Sequence, residues 1–491
     1  MKIRCGLRAA LAAALALAAP DCGTTPVDIP KGPNVLLITV DTLRLDRLSC
    51  YGGPPGNTPS IDALAQSGVR FGSVEASRGL TWPALTSLLT GLHPRTHQVR
   101  LNGDQLEENI KTLPEMLKSA GYNTAGFLSN MCDAPNRGID TFYCAWTDQF
   151  GLPVGRMPLR WASHEQPGWD TAITNKALDF IRKPHRRPFF AWLHYINPHK
   201  PYDPVEEYVR PDGDTSFDPQ DEVLDQHTLD GVSLNPAQKQ RLMAVYDSQV
   251  TGVDAHIGAI LRSLDEQNLA GNTLVIFSAD HGEELGDHQI YFYHYASVYQ
   301  QVLAVPWIMR WPGHIPEGVT VADPVAAIDI TPTVLDLLQI DAAAPFEGSS
   351  RLPLVRRQPG AQGARHTFAE WKDRILIVGE GNWRYIWNPD RKAPQGRPFM
   401  LKRGAGFHID TEELYDLSQD PLELHNIVAQ HEDRRAALRA VACDFLRARP
   451  FTLKEQQIKP EVQSRLRSLG YIQEQETAGR RKMVSHCGAD P

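Results

Sequence analysis

Asp41 closes the apolar run LLITV, and the pair Asp280-His281 closes the apolar run LVIFSA. Carboxylate oxygens and an imidazole nitrogen, brought together, make a donor set for a divalent cation. One acid at a strand end reads more simply as a helix cap, but two strand ends carrying matched donors point to one shared site. A third stretch, TWPALTSLLTG, places Thr81 ahead of Pro83 and a helix-like segment that stops at Gly91. A hydroxyl at a helix N-terminus meets unpaired N–H groups and the positive end of the dipole, which favour an alkoxide and a tetrahedral anion. A cation touching Thr81 would lower its hydroxyl pKa further. Read alone, Thr81 is a simple N-cap. His194 and His199 lie in LHYINPHKPYDP, and His288 and His294 in GDHQIYFYHYASVY. Histidines after strand ends can bind an anion or protonate a leaving oxygen near neutral pH. His288 reads as a supporting residue, and Glu283 and Glu284 as a capping box on a following helix.

These residues need a scaffold that gathers strand ends. The run Val35 to Val40 is continuous, apolar and rich in β-branched residues, the pattern of a central parallel strand. RPFFAWLHYI, NTLVIFSAD and AVPWIMRWPG repeat it, and helical patterns such as WDTAITNKALDFIRK and DITPTVLDLLQI alternate with them. The expected fold is therefore α/β: a doubly wound, mostly parallel sheet flanked by helices, with ligands beyond the carboxyl ends of the strands. The catalytic domain is expected over 30–350. GSSRLPLVRRQPGAQGARH reads as a linker to a small C-terminal antiparallel α+β subdomain over 366–450, in which EELYDLSQDPLELHNIV is a loop. Residues 475–491 read as a disordered tail.

The 491 residues are 42% hydrophobic and 22% charged, ordinary for a globular chain, and the net charge of -8 gives no basic footprint for nucleic acid. MKIRCGLR is basic and AALAAALALAA is apolar but too short to span a bilayer, so residues 1–22 are expected to be a secretory signal peptide. The expected location is the periplasm of a bacterium or its outer membrane. Cys22 is a candidate for lipid attachment and so for membrane anchoring, with Asp21 an unfavourable neighbour for that cleavage. Cys132 and Cys144 bracket a short loop and either pair in an oxidising compartment or remain two thiols. The cysteines show no CxxC spacing for structural zinc.

Taken together, NVLLITVDTLR, TSLLTGLHPRTHQV, HYINPHKPY, FSADHGEELGDH and EELYDLSQDPLELHNI resemble the sulfatase family of the alkaline phosphatase superfamily, from Asn34 to about Val428. The resemblance implies an alkaline-phosphatase-like fold and a hydrolase. It matches Asp41, Asp280 and His281 to metal ligands, and Thr81 to the nucleophile, which also touches the metal. It matches His199 to a substrate-anchoring histidine and His294 to a lysine that contacts the transferred group. Asn130 lies near where relatives carry pocket Lys and His.

The chain also departs from the pattern. Thr81 stands where the Cys or Ser converted to formylglycine is expected, and Leu85 replaces an Arg, so no formylglycine is expected. Asp41-Thr42 replaces an Asp-Asp pair, removing one ligand. Thr81 is then a candidate direct nucleophile towards sulfate, phosphate or phosphonate esters in a small-molecule or glycan substrate. Release from a sulfo-threonine depends on water attack alone, which favours the phospho-esters. Tyr195 stands where two-metal phosphodiesterase relatives carry Asp. One divalent cation is expected, Ca2+, Mg2+ or Mn2+ ahead of Zn2+, because the donors are oxygens apart from His281. Two other readings remain: a phospho-group transferase to a sugar or lipid acceptor, and a non-catalytic anion-binding homologue.

Overall fold

The computed structural model describes residues 32–449 apart from 131, 133–135, 146–165, 201, 203, 210–233, 289–290, 295–296, 343, 372–374 and 390–410, together with Cys487. The expected signal peptide and all of the expected tail except Cys487 lie outside the described residues. The main sheet is built from β1 (Asn34–Val40), β2 (Val69–Phe71), β3 (Asn123–Leu128), β4 (Thr141–Cys144), β5 (Phe189–Tyr195), β6 (Thr273–Ala279), β7 (Trp307–Arg310) and β8 (Val319–Val321). Their spatial order is β8-β2-β7-β6-β1-β5-β3-β4.

Every residue of β1, β5 and β6 is buried, as their near-continuous apolar sequences require of strands covered on both faces. One cover is made by α1 (Pro59–Gln66) and α4 (Gln166–Ile181), both packed against α5 (Pro236–Glu266); α2 (Thr81–Thr90) packs against both α3 (Leu113–Ser119) and α6 (Ile330–Leu337) in another group. Seven strands run parallel. AVPWIMRWPG, read as one more strand of the parallel type, supplies β7, which pairs antiparallel with both β2 and β6. A short buried apolar run carries no mark of its direction, so the sequence pattern could not separate the two.

Register places the site. Val40 of β1 lies opposite Tyr195 of β5 and Ala279 of β6, so all three strands end at one level. The next residues, Asp41 and Asp280, emerge there together; Asp41 N–H donates to the Tyr195 carbonyl at 2.9 Å. Thr39 is in register with His194. Because alternate residues share a face, Thr39, Asp41 and His194 fall on the same side of the sheet.

The C-terminal part is an antiparallel meander of β9 (Thr367–Trp371), β10 (Ile375–Glu380), β11 (Trp383–Trp387) and β12 (Glu412–Asp416), backed by α7 (Glu432–Ala448). The segment EELYD, expected in a loop, forms β12. Leu376 and Val378 face α7 and join a small core with Leu438, Phe445 and Leu446, whereas Ile375 and Ile377 belong to the main core. That alternation fastens the meander to the large sheet. Arg384, 1% exposed, completes the join: it reaches Glu75 at 2.6 Å, Glu423 at 2.7 Å and the Val298 carbonyl at 2.9 Å. The expected linker includes a short helical turn, Leu352–Val355.

Candidate active site

Asp41, Thr81, Asp280 and His281 converge beyond the ends of β1 and β6, and all are at most 2% exposed. The turn after β1 is held by α5: Tyr246 donates its hydroxyl to the Thr42 carbonyl at 2.6 Å and accepts the Arg44 N–H at 2.9 Å. Thr42 itself has φ 53°, a left-handed conformation that a β-branched residue rarely adopts. In that conformation its N–H points to Asp280 Oδ1 at 3.2 Å, and His281 N–H donates to the same oxygen at 2.7 Å. Two backbone donors on Oδ1 leave Oδ2 turned to the pocket. His281 donates Nδ1–H to the Gly282 carbonyl at 2.9 Å, so its Nε2 carries the lone pair. That nitrogen is 3.4 Å from Asp280 Oδ2 and 3.5 Å from Thr81 Oγ1.

Thr81 is not an N-cap. It is the first residue of α2, preceded by Leu80 as the cap, which supplies no side-chain hydrogen bond. The Trp82 N–H is taken instead by Asn102 Oδ1 at 2.9 Å, and Pro83 has no N–H to satisfy. The Thr81 hydroxyl is therefore released from helix capping and lies beside Asp280, whose ionised form it favours. The same accounting reduces the cradle expected at this helix end, because two of its first-turn positions offer no N–H to an anion.

The sequence-predicted residues meet in one place, with additions. Asn130 Nδ2 donates to Asp41 Oδ2 at 3.1 Å. His294 stacks on His281 at 4.4 Å between ring centroids and lies 5.5 Å from the His199 ring. Glu283, expected to cap a helix, caps none; Glu284 and Leu285 pair with Tyr291–Tyr293 as a small hairpin instead. Buried Glu283 reaches His294 Nδ1 at 3.3 Å and accepts the Tyr202 hydroxyl at 3.1 Å. His199 donates Nδ1–H to the Lys200 carbonyl at 2.6 Å. His288 lies elsewhere, stacked on Tyr299 and 3.5 Å from Glu284. Asp170 of α4 organises the loop that carries His199: it accepts Ser129 Oγ at 2.5 Å, Ile196 N–H at 3.0 Å and Asn197 Nδ2 at 2.8 Å.

Electrostatics set the protonation states. Burial, reinforced by the Asp280 charge, raises the Asp41 pKa, and burial raises that of Asp280. Burial likewise keeps the imidazoles neutral, pushing His194 down to about 3 and, with the neighbouring rings, lowering His199 and His294. Two buried carboxylates thus repel each other with no permanent cation between them in the set described. Donor atoms of Asp41, His194 and Asp280 lie within 4.8 Å of one another. Asp41 Oδ1, Thr42 Oγ1, His194 Nε2 and Asp280 Oδ2 are buried without hydrogen-bond partners. Orphaned buried donor atoms are costly and uncommon. A divalent cation would satisfy them and offset both charges, so these residues fit one.

Comparison with known proteins gives the family and the fold. Residues 33–340 match the family model described as Sulfatase. An uncharacterised sulfatase of Escherichia coli K12 is 26% identical over 472 residues, covering 85% of this chain and 87% of the relative. An N-acetylglucosamine-6-O-sulfatase of Bacteroides thetaiotaomicron is 23% identical over 496 residues, covering 86% of each. The crystal structure of the phosphonate monoester hydrolase of Agrobacterium radiobacter superposes with a TM-score of 0.66 at 22% identity, covering 85% of this chain and 95% of that one.

Proposed function

Because the chain belongs to the sulfatase family and is a hydrolase of sulfate or phosphate esters, we propose that it works with a divalent cation and uses Thr81 itself as the nucleophile, with phosphate and phosphonate esters preferred to sulfate esters. The observation that carries this reading is the placement of the Thr81 hydroxyl. It is fully buried, freed from capping by Asn102, and set against Asp280 and His281.

The reaction divides into two displacements. In the first, Thr81 Oγ1 forms a bond to phosphorus as the bond to the ester oxygen breaks, and the Thr81 proton passes to Asp280 beside it. The departing alkoxide takes a proton from His294 or His199. An anionic ester beside these neutral rings raises their proton affinity, so binding loads the acid that the step consumes. In the second, water attacks phosphorus, its proton goes to the imidazole just emptied, and Thr81 leaves, recovering its own proton from Asp280. Glu283 holds His294 by Nδ1 and stabilises the ring when charged. Asp41, Asp280 and His281 would hold a divalent cation, which would supply Lewis acidity, lowering the nucleophile's pKa and offsetting charge on the ester oxygens. The preference for phosphorus rests on the second step: water must attack a threonine ester, since threonine has no hemiacetal through which a sulfate could be expelled.

The small-molecule or glycan character of the substrate is part of the same reading, supported by the relative that is an N-acetylglucosamine-6-O-sulfatase. Export is supported by the disulfides Cys132–Cys144 and Cys443–Cys487, which suit an oxidising compartment. The test is a panel of aryl sulfates, phosphate mono- and diesters and phosphonate esters, with divalent ions added, on wild type, Thr81→Ser and Thr81→Ala. A phospho-ester is expected to be the best substrate, with Thr81→Ala slower by at least about a thousandfold. Equal turnover by Thr81→Ala would remove Thr81 from the chemistry. Preference for an aryl sulfate would reverse the substrate assignment.

A further inference from the structure

We propose that His194 is a further ligand of the cation, replacing the acid that is missing at Thr42, and that with His281 it makes a two-nitrogen donor set that selects zinc or a neighbouring transition metal over calcium and magnesium. The inference rests on the reading that the site holds a cation, and it changes which ion the site is built for.

Three observations carry it. The register of β5 on β1 puts His194 on the Asp41 side of the sheet, and its Nε2 lies 3.9 Å from Asp41 Oδ2. The hydrogen bonds of its other nitrogen are accounted for by a small relay. Trp192 Nε1–H donates to Thr39 Oγ1 at 2.9 Å, and the Thr39 hydroxyl donates to the Leu193 carbonyl at 3.3 Å. Thr39 Oγ1 then accepts from His194 Nδ1 at 2.9 Å. With the Thr39 hydroxyl donating to Leu193, the proton is assigned to Nδ1 and the lone pair to Nε2, the form in which an imidazole binds a metal. A metal-binding histidine is commonly oriented by such a bond from its second nitrogen. Finally, that Nε2 is fully buried and has no hydrogen-bond partner, and His194, Asp41 and Asp280 each offer a donor atom within 4.8 Å of the others.

Added to Asp41, His194 and Asp280, His281, whose Nε2 lies 3.4 Å from Asp280 Oδ2, would bring the proposed donor set to two imidazole nitrogens and two carboxylates. All-oxygen cages suit calcium and magnesium, whereas imidazole favours zinc and its neighbours in the transition series. The experiment loads the purified full-length chain with Zn2+ and measures X-ray absorption at the zinc edge. Chelator competition then gives affinities for Zn2+ and Ca2+ in wild type, His194→Ala and His194→Gln. Expected are two imidazoles per zinc in wild type, tighter binding of Zn2+ than of Ca2+, and at least about tenfold weaker Zn2+ binding in either variant. A single imidazole per zinc in wild type overturns the proposal without reference to any variant. So does an unchanged Zn2+ affinity in folded variants, or tighter Ca2+ than Zn2+ binding. Failure of the wild type to bind any divalent ion would overturn this proposal together with the cation in the proposed function. Thr81-dependent turnover measured beside these titrations separates the two: if it persists with a one-imidazole zinc, only the role of His194 falls.

Discussion

At the scale of single residues, hydrogen-bond bookkeeping assigns roles that residue type alone left open. Thr81 could be a cap or a nucleophile by sequence, and the structure removes the capping role, because Asn102 takes the Trp82 N–H. The meeting of Asp41, Asp280 and His281 was legible because two strand ends carry matched donors, whereas a single acid at a strand end reads as a cap. Glu283 was not, because an acid just after a strand reads equally as a helix cap; only the hairpin that replaces that helix turns it towards His294. It follows that Glu283→Gln should slow turnover through the proton donor. The loss is expected to be of the order of a hundredfold for esters with alkyl leaving groups and much smaller for p-nitrophenyl esters, whose leaving group needs no proton. A leaving-group series of kcat values checks this, and an equal loss across the series would contradict it.

At the scale of elements, the strand ends do the gathering and the turns do the aiming. The level ends of β1, β5 and β6 bring Asp41, His194 and Asp280 together. Strand identity was readable from apolar runs, but register was not, since it depends on which strands are neighbours. A polar Thr39 and a polar His194 inside otherwise apolar runs were the available hint of their pairing. The direction of β7 and the strand character of β12 were hidden for related reasons: each is decided by partners distant in sequence. The turn after β1 stores strain at Thr42, whose φ of 53° suits glycine. Thr42→Gly is therefore expected to stabilise the metal-free protein by about 1 kcal/mol, strain relief outweighing the added freedom of the unfolded chain. Urea unfolding measures it, and a less stable variant would show that the turn is not strained.

At the scale of the whole molecule, two layers of helices, one sheet and an attached meander produce a deep interior rich in neutral histidines. His97, beneath α2, donates Nε2–H to Ser87 Oγ at 2.9 Å and accepts the Val99 N–H at 3.0 Å. Burial, aided by His93, lowers its pKa to about 3. Between pH 6.5 and about 3 the unfolded chain therefore binds a proton that the folded chain does not, and stability falls as pH drops below about 6.5. Asp170 and Asp254, raised to about 6 by burial, work in the opposite sense, so the difference between two proteins is the quantity to measure. The stability advantage of wild type over His97→Gln should narrow by about 2 kcal/mol between pH 7 and pH 5. Urea unfolding at both pH values tests it; a constant difference would mean that His97 is not buried neutral. The α/β class and the C-terminal meander were legible in the alternation of strand and helix patterns. The way they join was not, because Arg384, Glu75 and Glu423 meet only in the folded chain.

Direct attack by Thr81 is tested most directly by mass spectrometry of the peptide containing it, acid-quenched during steady-state turnover of a phosphate or phosphonate ester. A phosphoryl or phosphonyl adduct on Thr81 is expected to form and decay at rates matching kcat. Turnover with Thr81 unmodified at every time point, and undiminished in Thr81→Ala, would contradict it.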